Sequence, residues 1–294
     1  MSKILEDFKV KGVDAVVLDL RRNGGGSLVE AVDLTGLFID EGPVVQVQGF
    51  NDEVEVHSDE GPGAAWDGPL VVLTSKFSAS ASEILAGAIQ DYRRGLVVGD
   101  EATHGKGTVQ SLRYLGEIFG GPYQPNLGAL KITVQQFFRP NGDSTQKRGV
   151  LSDIVLPSIT NFMDVGESDL DYAIDFHKVA KTKFPAVQLV TNDLITGLRK
   201  ESEQRISQSE DFARLLKRIE IYRERKQRKS VTLNEKKFFE EGKETDAEKE
   251  ERERLEEQVN SDIKIKRDFY LDEVLLITRD YVDALKQNKF AHVN

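Results

Sequence analysis

The chain has 294 residues, enough for about two domains that each bury a core, and its 39% hydrophobic and 31% charged residues are typical of a soluble protein. The net charge of -10 argues against nucleic-acid binding, because no basic excess exists to neutralise phosphates. Cysteine is absent, which excludes disulfides, thiolate catalysis and cysteine metal sites. No apolar run approaches the roughly 20 residues of a membrane span. Met1-Ser2-Lys3 leads straight into a charged helical pattern, so no signal peptide is predicted.

The first half of the chain alternates between strand and helix patterns. Short apolar, β-branched runs predict strands at 13–20, 44–49, 53–58, 69–74, 96–99, 107–115 and 129–138. Helical patterns lie at 3–11, from Ser27 to Phe38, and at 80–93. Strand, helix and strand in succession imply an α/β layer with right-handed crossovers. The predicted fold class is therefore α/β, with a mostly parallel or mixed β-sheet and flanking helices.

The second half has a different character. After Pro157 charged residues become more frequent, and the apolar residues follow helical spacing. Two stripes result, one of Phe212, Leu215, Leu216, Ile219 and Tyr222, the other of Tyr270, Val274, Ile277, Tyr281 and Leu285. Between them, residues 236–257 are almost wholly charged, which predicts a solvated helix or a flexible connection. We predict a core domain at 1–160 and a helical accessory domain at 161–294.

Chemistry concentrates between Phe77 and Gln110. Three serines occupy alternate positions where a helical pattern begins: Ser78, Ser80 and Ser82. Backbone N–H groups at a helix N-terminus are free to bind a developing oxyanion. Farther along, Lys106 stands between two glycines. A lysine buried in a tight, apolar turn can lose its proton near neutral pH. These residues predict a serine nucleophile with a lysine base, which needs neither cysteine nor histidine.

Spacing alone does not decide which serine is the nucleophile. Ser78 is predicted to be the N-cap, and Glu83 suits the helix dipole in the first turn. Ser80 and Ser82 remain as candidates. His104 is an alternative base, although a histidine in a glycine-rich turn is more often structural. The four histidines show no metal-ligand spacing, so no metal site is predicted.

The turn Arg22-Asn23-Gly24-Gly25-Gly26 has three interpretations: a tight connection, a phosphate cradle or an oxyanion hole. A dinucleotide fingerprint would need glycine where Val29 stands, so the phosphate interpretation is weak. Consecutive glycines let bare N–H groups approach a reacting carbonyl, which favours the oxyanion hole. Lys106 fails as a P-loop lysine, because Gly107 follows it where Ser or Thr belongs. The string 144–147, STQK, matches the S-x-x-K of penicillin-binding proteins but lies in a polar turn, which favours a chance match.

In this order and at these separations, the motifs DLRRNGGG, FSASASEI and THGKGTVQ resemble those of the carboxy-terminal (tail-specific) processing proteases. The segments STQKRGVLSDIVLP and YLDEVLLI resemble the long tail-specific branch, so the likeness covers nearly the whole chain. It implies a serine endopeptidase with a Ser-Lys dyad that cleaves proteins near their C-termini, and it implies no metal or organic cofactor.

The resemblance also implies roles for individual residues. The nucleophile would be Ser80, its lysine Lys106, and the glutamine that positions the lysine Gln110. Lys106, Thr108 and Gln110 share a face if the segment is extended, because strand side chains alternate. This geometry supports the assignment independently.

The remaining implied site residues are the oxyanion donors and an aspartate. The donors would be the N–H of Ala81 and that of Gly25 or Gly26, between which the sequence does not choose. The family's essential aspartate matches Asp91. Eleven residues of straight helix place it roughly 16 Å from the nucleophile, so we expect a structural support that pairs with an arginine.

The resemblance suggests protein substrates, the bacterial periplasm, and either a homo-oligomer or an adaptor protein as partner. His104 replaces a usual aromatic, and the turn before Lys106 is one residue longer than the family pattern. The PDZ domain and the N-terminal part of the protease core, which family members carry ahead of the DLR strand, are not in the chain. The alternative function is therefore a catalytically incomplete fragment that acts as an interaction or structural module. A nucleotide-binding α/β protein is a further alternative.

Overall fold

The computed structural model describes residues 1–119, 126–230, 232–236 and 267–291. The described helices are α1 Ser2–Val10, α2 Leu28–Gly36, α3 Ala81–Asp91, α4 Leu115–Phe119, α5 Asn192–Gln208, α6 Glu210–Gln227 and α7 Phe269–Ala291. The described strands are β1 Val16–Asp19, β2 Gly42–Gln48, β3 Val54–Asp59, β4 Leu70–Thr74, β5 Leu96–Gly99, β6 Thr108–Tyr114, β7 Ala129–Phe138 and β8 Ile154–Val155. Short 3-10 helices lie at Ile159–Phe162 and Glu167–Asp169. Apart from residue 236, the charged stretch 236–257 lies outside the described residues.

Four strands form a parallel sheet in the order β1-β4-β5-β8. Its register is set by the pairs Val16–Leu70, Val71–Leu96 and Val98–Ile154. Every residue of β4 and β5 is buried, as expected of parallel strands that are covered on both faces. Strand β8 is not predicted from the sequence, because an apolar run of two or three residues carries no periodicity.

The other four strands form a separate antiparallel sheet in the order β3-β2-β7-β6. The prediction of one α/β layer is therefore corrected to two sheets, while the α/β class with parallel and antiparallel strands and flanking helices is confirmed. The physical reason lies in the connections. A short turn joins β2 to β3, and β6 pairs along its length with β7. The short turn at 49–53 allows only antiparallel pairing of β2 with β3, because a parallel neighbour requires a crossover of a dozen or more residues.

Hydrophobic cores lie on both faces of the parallel sheet. Leu70 and Val72 point into one core, which they share with α2, α3 and β2. Val71 and Leu73 belong to the other core, which is closed by α5 and α7. The apolar stripe predicted for the last helix is confirmed in this second core by the buried residues Val274, Ile277 and Tyr281.

Ion pairs hold the two covering helices together. Arg205 of α5 lies 2.8 Å from Glu273 and 2.7 Å from Asp280, both on α7. Glu273 is buried, so this guanidinium supplies the partner that a buried carboxylate needs. Within the described part of the chain, no helix is long and apolar enough to cross a membrane.

Candidate active site

The candidate nucleophile lies where β4 leads into α3. Ser80 is the N-cap residue of α3, and its φ of 58° is a left-handed value that residues other than glycine rarely adopt. The prediction that Ser78 is the N-cap is wrong. Its buried hydroxyl donates to the Leu20 carbonyl oxygen at 2.7 Å and accepts from the Ser75 N–H at 3.0 Å. A strained backbone persists where surrounding contacts enforce it, which is common at functional sites.

Three neighbouring serines tie this loop to the turn after β1. The hydroxyls of Ser75, Ser78 and Ser82 donate to the carbonyl oxygens of Arg21, Leu20 and Asn23, at 2.5, 2.7 and 2.8 Å. The competing candidate Ser82 is buried and its hydroxyl proton is engaged in this link. The geometry therefore favours Ser80, which is only partly buried.

One glycine of the turn lies directly against the candidate nucleophile. Gly25 has φ of 105°, and a Cβ placed there would come within 2.7 Å of Ser80 Cβ and 3.1 Å of the Ala81 nitrogen. The Gly25 N–H donates to the Asn23 side-chain oxygen at 3.0 Å. Around Gly26 there is open space for such a Cβ. The structure thus brings Gly25 beside Ser80 and Ala81.

Glu83 links the serine loop to the lysine turn. The Ser80 N–H and the Lys106 N–H both donate to its Oε2, at 2.7 and 3.0 Å. The Thr103 hydroxyl and the Gly105 N–H donate to its Oε1, at 2.6 and 2.7 Å. The sequence pattern indicates only that Glu83 stabilises the helix dipole from the first turn. A glutamate three residues after an N-cap signals a capping box, but nothing local reveals the bonds to the lysine turn.

The Glu83 carboxyl is fully buried. Burial raises its pKa to about 7, and the hydrogen bonds from Thr103, Gly105, Ser80 and Lys106 oppose that rise. Because all four partners donate, the arrangement suits an ionised carboxylate, which only accepts.

The Lys106 side chain is half-buried. Its pKa is lowered, first by desolvation and then by the positive charge of Lys131, while Glu167 and Glu83 act in the opposite direction. A lower pKa raises the neutral fraction of the amine, which is the form that can accept a proton.

The amine of Lys106 donates to Gln110 Oε1 at 3.0 Å, so the structure brings the predicted lysine and glutamine together. The expected simple alternation does not hold. Strand β6 starts only at Thr108, and its register shifts between Val109 and Gln110. Among the described contacts there is no hydrogen bond between Lys106 Nζ and Ser80 Oγ. Catalytic hydrogen bonds are often long without substrate and tighten in the substrate complex, so this geometry is compatible with a general base.

His104 makes mainly structural contacts. Its backbone N–H donates to Ser78 O at 2.9 Å, and its Nδ1 lies 3.9 Å from Glu167 Oε2. Desolvation lowers the pKa of the imidazole. In residues 1–119, 126–230, 232–236 and 267–291, no three His, Asp or Glu side chains are grouped as a metal site requires.

Asp91 lies at the last turn of α3, at the end opposite Ser80. Its carboxylate pairs with the Arg139 guanidinium and accepts from Asn141 Nδ2 at 2.9 Å. Desolvation raises the pKa of Asp91, and Arg139 opposes that rise. The expected arginine partner is therefore confirmed, and the structure does not bring Asp91 to the serine.

The S-x-x-K string does not form a second serine–lysine site. Ser144 Oγ accepts from the Gln146 N–H at 3.0 Å, while Lys147 Nζ pairs with the exposed Asp175 at 2.7 Å. The interpretation as a chance match to penicillin-binding proteins agrees with these contacts.

Comparison with known proteins places this geometry in a family. Residues 1–156 match the model of peptidase family S41, and residues 160–283 match that of the C-terminal domain of tail specific protease. The tail-specific protease of Haemophilus influenzae is 40% identical over 238 residues, which cover 80% of this chain and 34% of that protein. The carboxy-terminal-processing protease of Bartonella bacilliformis is 40% identical over 176 residues, or 58% of this chain and 37% of that protein.

Among solved structures, the photosystem II D1 C-terminal processing protease aligns with a TM-score of 0.46 and 32% identity, over 53% of this chain and 38% of that chain. The chain spans about a third of the length of the two curated relatives named above. The S41 model covers more than half of the chain, including the serine loop and the lysine turn. The chain belongs to peptidase family S41 and carries the C-terminal domain of the tail-specific proteases.

Proposed function

We propose that the chain carries a serine endopeptidase site in which Ser80 is the nucleophile and Lys106 the general base. One observation supports this most: Glu83 Oε2 accepts from the N–H of Ser80 at 2.7 Å and from that of Lys106 at 3.0 Å. A single oxygen thus holds the nucleophile and base segments within two hydrogen-bond lengths of each other. Desolvation lowers the pKa of Lys106, as a general base near neutral pH requires. Gln110 accepts from the amine at 3.0 Å and acts as a positioning residue.

In the proposed reaction, neutral Lys106 takes the hydroxyl proton as Ser80 Oγ attacks the peptide carbonyl. The Ala81 N–H, at the first position of α3, stabilises the oxyanion together with an N–H of the glycine turn. The Gly25 N–H already donates to Asn23, which favours Gly26 as the second donor. The protonated lysine then gives its proton to the leaving amine, and water hydrolyses the acyl-enzyme. Neither step requires a metal or an organic cofactor.

Asp91 has a supporting role in this proposal. It pairs with Arg139 at the far end of α3, and the helix it anchors has Ser80 as its N-cap. We therefore separate Asp91 from the groups that touch substrate.

The proposed substrates are proteins cut in their C-terminal regions, and the proposed compartment is the bacterial periplasm, as the tail-specific relatives suggest. We propose that residues 1–160 supply the C-terminal part of the protease core and that 161–294 form the accessory domain. A homo-oligomer or an adaptor protein remains a prediction of the resemblance.

Peptide release from an unstructured, fluorescently labelled protein tests the proposal. We expect Ser80→Ala and Lys106→Ala each to lower turnover about 1000-fold or more, as loss of a catalytic group does. Ser207→Ala and Lys200→Ala are matched controls on the exposed surface of α5 and should behave as the parent chain. Equal release by the parent and Ser80→Ala would contradict the proposal. Absence of release by every variant would favour the interaction module, and thermal stabilisation by a nucleotide would favour a nucleotide-binding protein.

A further inference from the structure

The turn at 144–147 packs against the lysine turn. The Thr145 hydroxyl, which is fully buried, donates to the Lys106 carbonyl oxygen at 3.0 Å. The Gln146 side chain, also fully buried, accepts from the Gly107 N–H at 2.9 Å. The Lys147 N–H donates to the Gly105 carbonyl oxygen at 2.8 Å.

These bonds complete the set that Glu83 begins. Glu83 binds the N–H groups of Gly105 and Lys106, and the Gly107 carbonyl oxygen accepts from the Phe137 N–H at 2.9 Å. Every backbone donor and acceptor from Gly105 to Gly107 is therefore bonded to a distant segment. A backbone held at each of its polar groups has a single well-defined path, so the direction in which the Lys106 side chain leaves it is also defined.

Close packing explains the glycines on either side of the lysine. A Cβ on Gly105 would come within 3.0 Å of the Lys147 backbone, and one on Gly107 within 2.8 Å of the Gln146 nitrogen. The two glycines are thus required by contact with the 144–147 turn. The lysine turn at 105–107 and the turn at 144–147 therefore form one packed, hydrogen-bonded unit.

We propose that Thr145 and Gln146 are positioning residues for Lys106, which hold the lysine turn so that its amine stays in place for the serine. This inference rests on the proposed function of the dyad. A base that is misplaced by about 1 Å can lose about 100-fold in rate, so fixing the backbone on both sides of the lysine has a direct kinetic value. Neither residue touches substrate in this role.

One of the charged groups that face the amine also contacts the proposed pair, because Glu167 Oε1 accepts from Gln146 Nε2 at 3.1 Å. Glu83 of α3, Lys131 of β7 and Glu167 of the second 3-10 helix face Lys106, and His104 precedes it in the turn. Thr145 and Gln146 are uncharged, so replacing Thr145 by valine changes position without changing charge, whereas Gln146→Glu keeps the total charge only when it is combined with Glu167→Gln.

The matched pair Thr145→Val and Thr145→Ser gives the first test. Valine removes the bond to the Lys106 carbonyl oxygen, while serine keeps it. We expect Thr145→Val to lower kcat about 10- to 100-fold with KM within about twofold of the parent, and Thr145→Ser to restore most of the rate. The acid limb of the pH–rate profile should move to higher pH in Thr145→Val, because a looser turn exposes the amine to water and raises the pKa of Lys106 toward its ordinary value.

Gln146 allows a second test that does not depend on the first variant folding. Its Nε2 donates to Glu167 Oε1 at 3.1 Å. Gln146→Glu alone places a second carboxylate against that of Glu167, and we expect their repulsion to lower kcat. The double variant Gln146→Glu with Glu167→Gln exchanges the two side chains and keeps the total charge. An amide N–H again faces a carboxylate, and an oxygen at position 146 can still accept from the Gly107 N–H. We expect it to recover most of the lost rate.

The amine itself provides a readout that does not require turnover. Only a neutral amine is acetylated by acetic anhydride, so labelling of the full chain across a pH series, read peptide by peptide by mass spectrometry, reports deprotonation of Lys106 against a free model lysine peptide in the same tube. We expect the Lys106 midpoint to lie below that of the model lysine peptide in the parent and to move up toward it in Thr145→Val.

An unmoved midpoint in folded Thr145→Val, or equal losses in the valine and serine variants, would overturn the proposal. A lost rate at every pH with an unmoved midpoint would show a merely structural role and would overturn it too. Failure of the dyad itself appears elsewhere, as release by Ser80→Ala equal to that of the parent, and the labelling still decides the role of the turn in that case.

Discussion

Replacing Glu83 by glutamine keeps the shape of the side chain and exchanges one of its two accepting oxygens for an NH2 group. In either orientation the nitrogen faces two donors, which are Ser80 and Lys106 at Oε2 or Thr103 and Gly105 at Oε1. At pH 8, above its pKa of about 7, the carboxylate of the parent is ionised and accepts all four bonds.

Glutamine therefore loses two hydrogen bonds to a charged group, each worth about 1.5 kcal/mol or more. A neutral amide costs less to bury, which offsets part of this loss. We expect the free energy of unfolding of Glu83→Gln at pH 8 to fall by about 2–3 kcal/mol. Turnover should fall about 100-fold, because the bond that joins the serine and lysine segments is weakened.

Urea unfolding followed by circular dichroism measures the stability, and the peptide-release assay measures the rate. The control is Glu30→Gln in α2. Glu30 also stands three residues after a serine N-cap, Ser27, but it is exposed. It therefore reports the helix-dipole effect alone, which is worth about 0.3–1 kcal/mol. If Glu83→Gln is no less stable than Glu30→Gln at pH 8, the carboxylate does not organise the site and the reasoning fails.

Three further predictions follow from the same geometry. Gly25→Ala should lower turnover about 100-fold, because a methyl group meets the serine and the backbone is left-handed, while Gly26→Ala, with open space, should keep a folded protein of parental thermal stability. Asp91→Ala should lower the free energy of unfolding in urea by about 3 kcal/mol by leaving the partly buried Arg139 guanidinium without its carboxylate partner, and folded enzyme that still shows parental kcat would support its structural role. For His104 the lowered pKa means that the native state holds the proton less tightly than the unfolded chain, so stability is lost as pH falls below about 6.5. His104→Phe should show a smaller loss in unfolding titrations between about pH 7 and 5 and keep its turnover; abolished turnover would instead make His104 the base.

Local pattern was sufficient for the elements with a clear run or period of apolar residues or a clear cap. Strand β4, the start of α2 at Ser27 and the buried stripe of α7 follow from a continuous apolar run, capping and helical spacing alone. The second sheet did not follow, because pairing between β2 and β7 joins segments more than 80 residues apart and leaves no local signal.

The site shows the same division. Ser80, Lys106 and Gln110 came from motifs, but the N-cap was assigned to Ser78, since either serine satisfies the local capping rule. Glu83 and Thr145 could not be assigned to the lysine turn from sequence, because their partners lie about 20 and 40 positions away. What a side chain will bond to across the fold is decided by packing, which composition and spacing do not encode locally.

The helix α7 covers one face of the parallel sheet, and strand β4 of that sheet precedes α7 by about 200 residues. During synthesis, Val71 and Leu73 leave the ribosome long before Val274 and Ile277 exist to shield them. The nascent sheet therefore exposes one apolar face, with a risk of aggregation, until α7 has been synthesised. Burial of this apolar face therefore depends on α7, and any pause before α7 is synthesised prolongs the interval in which the face is exposed.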